Sequence, residues 1–491
     1  MLERLGPQNL VRLIMERAAV MPDQVAITTA DESVTYAQLV DLTVQFARHL
    51  RRQNVRAGMR IAIMPDHPLI AVGLSLACSL IGCAWIAGTA HVLAHPGLGI
   101  SHLLCMNIPP AGSRVPCVFV DPSWTRPPQD GRVDAPFTGY ANAQQTWMIA
   151  RSSGTTGEAK FIGLSEAAFY RRATENNFIS EAERPVYLAL FPLLAYTGTL
   201  AMMRTLAIGG TFIYADPGET YGRTRIDVMH GSPAQLQQFM DTSPPNGRRI
   251  PLARMGGGVA GAGLFRRLLL YFDRIMHVYG STEAATTATR IIGAADIGDM
   301  TPSVGRAVAG VQVEIVEPDG VRLPAGQEGI VRIRTPSQVS SYIGDPELSA
   351  AAFRAGWFHP GDLGVLSADG ELRITGRVND QLNVGGVKLN PVVIDTVVQE
   401  TPGIRDGACF AWMDEDGMYR VALAISLAAP VDVARPARVL RDAVITRVGA
   451  RGAPRALFVL EHFPRNANGK IARTELAKAL AGVRPMMIND Q

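Results

Sequence analysis

The chain has 491 residues, 47% hydrophobic and 19% charged, which is too long for one ordinary core and too apolar for a disordered chain. Its 47 Lys and Arg stand against 44 Asp and Glu, and a formal charge of +3 without a long basic run argues against nucleic acid as a partner. The five cysteines, at 78, 83, 105, 117 and 409, are scattered and lack a C-x-x-C pair, so neither a disulfide framework nor a zinc site is expected, and a reducing cytoplasm fits best.

The first residues, MLERLGPQNL, lack the apolar core of a secretory signal. Helical apolar spacing recurs over 9–19 and 37–52, and short apolar runs at 25–29 and 60–64 predict strands. The uncharged run 69–90 is long enough to span a bilayer, but Gly82 and Cys83 interrupt it, so a buried helix followed by a buried strand is predicted. Residues 109–139, rich in Pro, Gly and Arg, read as loop. Strands are predicted at 145–150, 186–191, 210–215, 225–230, 249–255 and 274–278, with helices at 165–175 and 199–207. Strands alternating with helices predict an α/β fold of layered sheets, in which ligands sit at the carboxyl ends of strands. Three clusters lie at such ends: 231–233 (GSP), 256–258 (GGG) and 279–283 (YGSTE).

From 304 to 375 short β-type runs alternate with turns such as PDG at 318–320, which predicts a small β-barrel or curled sheet. Beyond 376, strands at 408–413, 419–427 and 455–460 and helices at 392–400 and 437–448 suffice for a separate α+β domain, with 483–491 as a loose tail.

The stretch 152–160, SSGTTGEAK, reads as a phosphate cradle between a strand and a helix. Gly154 and Gly157 let backbone N–H groups approach an anion, Ser152, Ser153, Thr155 and Thr156 add hydroxyl donors, and Lys160 adds a cation. It is not a Walker A loop, whose Gly–Lys spacing differs. On these residues alone, a flexible Ser/Gly turn is the competing reading.

Four further motifs follow it in order: YGSTE at 279–283, GWFHPGD at 356–362, GRVNDQLNVGGVKLNP at 376–391 and PRNANGK at 464–470. Together the five resemble the adenylate-forming superfamily of acyl-CoA synthetases, peptide-synthetase adenylation domains and luciferases. The resemblance implies ATP-dependent activation of a carboxylic acid to an acyl-adenylate, with pyrophosphate released, then transfer to a thiol. CoA is the leading acceptor, and a separate carrier protein or an amine is the alternative. An inactive nucleotide-binding scaffold is the reading from another class. ATP, Mg²⁺ and CoA are the implied cofactor and co-substrates.

The resemblance also implies roles. Ser152, Ser153, Gly154, Thr155, Thr156, Gly157 and Lys160 would hold the β- and γ-phosphates. Thr282 would donate to the α-phosphate and Glu283 would hold Mg²⁺. Tyr279 would stack beside adenine, with Gly256, Gly257 and Gly258 offering backbone, while Asp362 and Arg377 would hold the ribose. Lys470 would bridge the attacking carboxylate and the α-phosphate. The implied division is an N-terminal domain 1–376, a hinge 377–380 around Asn379, and a mobile domain 381–491 whose Gly385 and Gly386 would admit a pantetheine arm. Ala195, Tyr196 and His230 are candidates for the acid pocket.

Each has a plainer reading. Tyr279 is also an ordinary core aromatic, Glu283 a cap for a helix starting near Ala284, Asp362 a turn former, His230 a packed core histidine and Lys470 a solvated loop cation. Four departures from the family pattern stand out: Ala159 for Pro, Asn379 for Asp or Lys at the hinge, Pro360 for Thr, and Ala195 for a His. The last leaves space in the acid pocket.

Overall fold

The structure is a computed structural model that describes residues 4–64, 66–111, 113–130, 135–153, 159–175, 182–258, 260–299, 303–378, 382–384, 387–414, 416–427, 434–465 and 471–488. It is a mixed α/β fold with two large sheets and a smaller C-terminal unit. No helix among the described residues is long and apolar enough to cross a membrane.

The uncharged run resolves as expected. Pro68–Ile81 is a helix in which every residue from Leu69 to Ile81 is buried. Gly82 ends it in the left-handed region at φ 84°, where a Cβ would stand 2.7 Å from the Gly139 carbonyl oxygen. The strand Ala84–Ala87 follows, and Trp85 packs edge-on against Trp147. This strand belongs to a six-stranded sheet in the order Cys117–Phe119, His102–Cys105, Arg60–Met64, Ala84–Ala87, Thr146–Ser153, Ala159–Ser165. Its neighbours are parallel except the last two, which form an antiparallel hairpin.

In the larger sheet, Val25–Thr29, Thr211–Tyr214, Val186–Ala189, Val228–Gly231, Ile250–Gly256 and Phe272–Ser281 lie side by side and parallel. Phe272–Ser281 then turns back antiparallel into Ala285–Ile292. Through Gly305–Ala307 the sheet continues into Glu371–Arg377, Asp362–Leu366 and Glu328–Arg334, so the short strands after 304 extend the same sheet. The C-terminal sheet, Ile404–Met413, Tyr419–Leu427, Ala456–Val459 and Met486–Met487, has its own buried clusters, drawn only from residues 382–488.

Four expectations are corrected. The segment after 152–158 enters the strand Ala159–Ser165 before the helix Glu166–Thr174, because the alternation of AKFIGLS suits a hairpin partner. No helix starts near Ala284; a tight turn leads into a strand at Ala285, whose φ is 60°. The Pro-rich stretch 109–139 contains the strand Cys117–Phe119 and a 3₁₀ turn Pro122–Thr125 capped by Asp121. The tail is not wholly loose: Met486–Met487 pairs with Ala456 and Leu457, and Ile488 is buried.

Candidate active site

The hairpin Thr146–Ser153/Ala159–Ser165 sets Ser152 directly opposite Lys160. Of the predicted cradle, Gly154, Thr155, Thr156 and Gly157 lie outside the described residues, as do Asn379, Gly385, Gly386 and Lys470. Ser153 is placed as strand backbone opposite Ala159. The Lys160 ammonium stands over the ring of Tyr342, 5.2 Å from its centroid. Backbone continuity ties these together, since Ile343 N donates to Phe161 O at 2.8 Å.

Tyr342 also reaches the second motif. Its phenol donates to Glu283 Oε1 at 2.9 Å, and both side chains are buried. Burial, then the neighbouring Glu283 carboxylate, pushes the Tyr342 phenol upward, so it stays a donor. Glu283 sits in the turn between Phe272–Ser281 and Ala285–Ile292, where Ser281 Oγ accepts from Ala284 N at 3.1 Å. Val339 N donates to Glu283 O at 3.1 Å. The segment 337–343 thus joins Lys160 to the Thr282–Glu283 turn.

The turn is gripped from below by Arg172. One guanidinium nitrogen donates to Thr282 O (2.8 Å) and Tyr196 Oη (2.9 Å); the other donates to Glu283 O (2.9 Å) and Ser337 O (2.6 Å). The helix Glu166–Thr174, capped by Ser165, aims it there: Arg172 lies on the stripe that buries Phe169 and Ala173. Sequence reasoning missed both Tyr342 and Arg172. Tyr342 carries no local signal, but an arginine in phase with the buried face of a helix is one.

The third cluster lies across the sheet extension. Asp362 and Arg377 are cross-strand partners in the hairpin Asp362–Leu366/Glu371–Arg377. Arg377 Nε meets Asp362 Oδ1 at 2.9 Å, and Tyr279 Oη donates to Oδ2 at 2.5 Å. Asp362 is buried, so both oxygens are held in one orientation. Burial first, and then the Asp362 charge, raises the Tyr279 phenol well above its ordinary value, so it too remains a donor. Tyr279 therefore joins two sequence motifs that stand apart along the chain.

The glycine run begins where Ile250–Gly256 ends. Gly256 pairs with Val278, and Gly257 has φ 84°. A Cβ on Gly258 would crowd Pro233 at 3.2 Å. Pro233 starts the helix Pro233–Thr242, whose cap Ser232 and Gln235 form a reciprocal capping box. His230, one strand over, is buried between Tyr187 and Phe191, with ring centroids at 6.0 and 4.9 Å. Burial, with Arg254 and Arg204 nearby, holds it well below the ordinary histidine range, so it is neutral. Ala195 precedes and Tyr196 opens the helix Tyr196–Ala207, with the Tyr196 hydroxyl on Arg172.

Among the described residues no three His, Cys, Asp or Glu side chains come together to hold a metal. Glu283 offers a single buried carboxylate, joined through Tyr342 to the hairpin that carries Lys160. That suits Mg²⁺, which takes one or two protein carboxylates and completes its shell from phosphates and water.

A solved structure of O-succinylbenzoate coenzyme A synthetase (MenE) from Bacillus subtilis, in complex with ATP and magnesium ion, superposes with a TM-score of 0.81 over 94% of this chain and 98% of that one, at 22% identity, a likeness of fold. The chain is 24% identical over 525 residues to the medium/long-chain-fatty-acid–[acyl-carrier-protein] ligase FadD10 of Mycobacterium tuberculosis, with 96% of each covered. It is 25% identical over 509 residues to a feruloyl-CoA synthase of an Amycolatopsis species, covering 96% of this chain and 99% of the relative. The profile of the AMP-binding enzyme family matches residues 14–94 and 113–343, well over half of the sequence, and on that match the chain belongs to the AMP-binding enzyme family.

Proposed function

We propose that this chain activates a carboxylic acid with ATP and passes the acyl group to the thiol of CoA. The observation that supports it is the joining of three motif clusters by two phenols: Tyr342 links Lys160 to Glu283, and Tyr279 links the Thr282 turn to Asp362. In the first half-reaction an oxygen of the acid attacks the α-phosphorus of ATP, the bond to the pyrophosphate oxygen breaks, and an acyl-adenylate forms. Two anions must meet, so the chain has to supply positive charge and fixed donors.

Ser152, Ser153, Gly154, Thr155, Thr156, Gly157 and Lys160 would hold the departing phosphates, and Thr282 the α-phosphate. The buried Asp362, held by Tyr279 and Arg377, would accept the ribose hydroxyls. Tyr279 would flank adenine, with Gly256, Gly257 and Gly258 passing close to its edge. Mg²⁺ bound at Glu283 would offset phosphate charge. Lys470 would stand at the reacting carboxylate. In the second half-reaction the thiol sulfur attacks the acyl carbonyl and AMP leaves. The proposed working division is 1–376, a hinge at 377–380 around Asn379, and a mobile 381–491 that exchanges Lys470 for the Gly385–Gly386 face. The five cysteines are free thiols, in keeping with a cytoplasmic setting.

Acid-dependent exchange of labelled pyrophosphate into ATP tests the first half, and release of acyl-CoA tests the second. No exchange with any acid of a broad panel in the presence of Mg²⁺ would turn the assignment toward a nucleotide-binding scaffold. Exchange with hydroxamate trapping but no acyl-CoA would move the acceptor to a carrier protein or an amine.

A further inference from the structure

Arginines 172, 204 and 254 are all buried, Arg172 on the helix Glu166–Thr174, Arg204 on the helix Tyr196–Ala207 and Arg254 on the strand Ile250–Gly256, and both Arg172 and Arg254 lie close enough to Arg204 to act on its charge. None of the three meets a carboxylate among the described residues. Arg172 is accounted for by its three carbonyls and Tyr196. The other two are not. Among the described residues Arg204, 7% exposed, donates only through Nε, to Arg172 O at 2.9 Å, which leaves both terminal nitrogens without a partner there. Arg254, 6% exposed, donates to Thr286 Oγ1 at 3.1 Å and to the weak acceptor Met276 Sδ at 3.1 Å. His230, its cross-strand neighbour, has a buried Nδ1 with no partner among the described residues.

A buried charge without an opposite charge is costly, and two like charges near one another compound the cost. The strain is visible in both groups: burial and then the Arg254 charge bring Arg204 down to about 10, and burial lowers Arg254 as well. Neutral His230 and the edge-on phenol of Tyr187, pushed upward by burial, stand beside the pair and supply no negative charge. The cluster also touches the reaction centre. Thr286 lies in the strand just beyond the Thr282–Glu283 turn, and Gly256 is two residues past Arg254 on the same face of its strand.

We propose that the acid taken by this site carries a second carboxylate, and that Arg204 and Arg254 receive it as specificity-determining residues. The inference rests on the adenylation reading above. The reacting carboxylate goes to the Thr282 side, and the distal one completes the two guanidinium groups, with His230, Tyr187 and Phe191 enclosing the body between them. A monocarboxylic acid would leave both charges buried and unpaired.

The test is pyrophosphate–ATP exchange by the full chain with linear α,ω-diacids from succinate to sebacate and the benzenedicarboxylates, each against its own monomethyl ester. The ester keeps the shape and removes the charge. The best diacid is expected to exceed its ester in kcat/KM by about 100-fold or more. In Arg254→Met and Arg204→Met that ratio should collapse towards one, whereas Arg254→Lys should keep part of it. Esters or simple monoacids matching or exceeding every diacid in the unaltered enzyme would overturn the inference while leaving adenylation intact. So would an Arg254→Met enzyme that loses diacid and ester activity in equal proportion. If no acid of either kind supports exchange, the adenylation reading fails, and thermal stabilisation of the unaltered protein by diacid over ester decides the second-carboxylate site by itself.

Discussion

Tyr279 and Asp362 stand 83 residues apart in sequence and share a hydrogen bond of 2.5 Å. It fixes one carboxylate oxygen while Arg377 fixes the other at 2.9 Å. Tyr279→Phe keeps the ring and deletes the donor. Hydrogen bonds to charged groups contribute about 1.5–3 kcal/mol, so the KM for ATP should rise about 10- to 100-fold with the KM for the acid little changed. Pyrophosphate exchange at varied ATP measures it, and an equal rise in both KM values would contradict a ribose-side role for this pair.

Glu283 is the buried carboxylate proposed to hold Mg²⁺, and among the described residues Tyr342 donates to its Oε1. In Glu283→Gln the Mg²⁺ concentration for half-maximal exchange should rise about tenfold or more, and in Tyr342→Phe by less, since the carboxylate remains. Titration of the exchange rate with Mg²⁺ separates the two. Activity lost at unchanged Mg²⁺ dependence would remove Glu283 from the metal.

Arg172 holds the Thr282 and Glu283 carbonyls from beneath, together with Ser337 O and Tyr196 Oη. Lysine cannot reproduce that fork, and methionine leaves the carbonyls unpaired. Arg172→Met should cost about 3 kcal/mol of unfolding free energy by denaturant titration, and Arg172→Lys nearly as much. A loss below about 1 kcal/mol, within the range of surface substitutions and small packing changes, would show the turn to be held by other contacts.

Glu166 opens its helix 2% exposed, and its Oε1 accepts from Asn9 Nδ2 (3.0 Å), Leu10 N (3.2 Å) and Ser79 Oγ. Burial outweighs these bonds and raises its pKa from 4.5 to about 7. An acid raised in the folded state makes its full contribution below pH 4.5 and loses it as pH climbs through 7. The difference corresponds to about 3 kcal/mol. Stability should therefore fall between pH 4.5 and 7 with a component that Glu166→Gln abolishes. Parallel pH profiles for the two proteins would show Glu166 to be ionised in the folded state at its ordinary value.

Lys470 is proposed to serve only the adenylation step. Lys470→Ala should reduce exchange by about 100-fold or more, as expected for loss of a charge acting at the transition state, and spare acyl transfer to CoA from supplied acyl-adenylate. Equal loss in both steps would contradict a swing of the C-terminal unit between them.

Several parts of this site were legible locally. Asp362 and Arg377 flank one hairpin, so two nearby motifs become cross-strand partners through a short turn. Ser152 and Lys160 likewise face each other across one hairpin. Tyr342, Arg172, Arg204 and Arg254 were not legible. Each acts on a residue distant in sequence, and only Arg172 leaves a trace, in the phase of its helix. The strand after the phosphate loop was missed because a short amphipathic run directly before a helix cap reads as part of the loop. The plainer reading of Glu283 as a helix cap fails because the turn after Ser281 leads into the strand Ala285–Ile292.

By itself the sequence determined the layered α/β class, the buried helix behind Gly82, and the motifs that mark a nucleotide site, because strand and helix periods and glycine placement are local properties of the chain. Tertiary structure alone decided which of those motifs meet, through Tyr279 on Asp362 and Tyr342 on Glu283, and which charges are buried without an opposite charge among the described residues. Pairing and desolvation depend on what long-range packing brings alongside, and neither is encoded in spacing along the sequence.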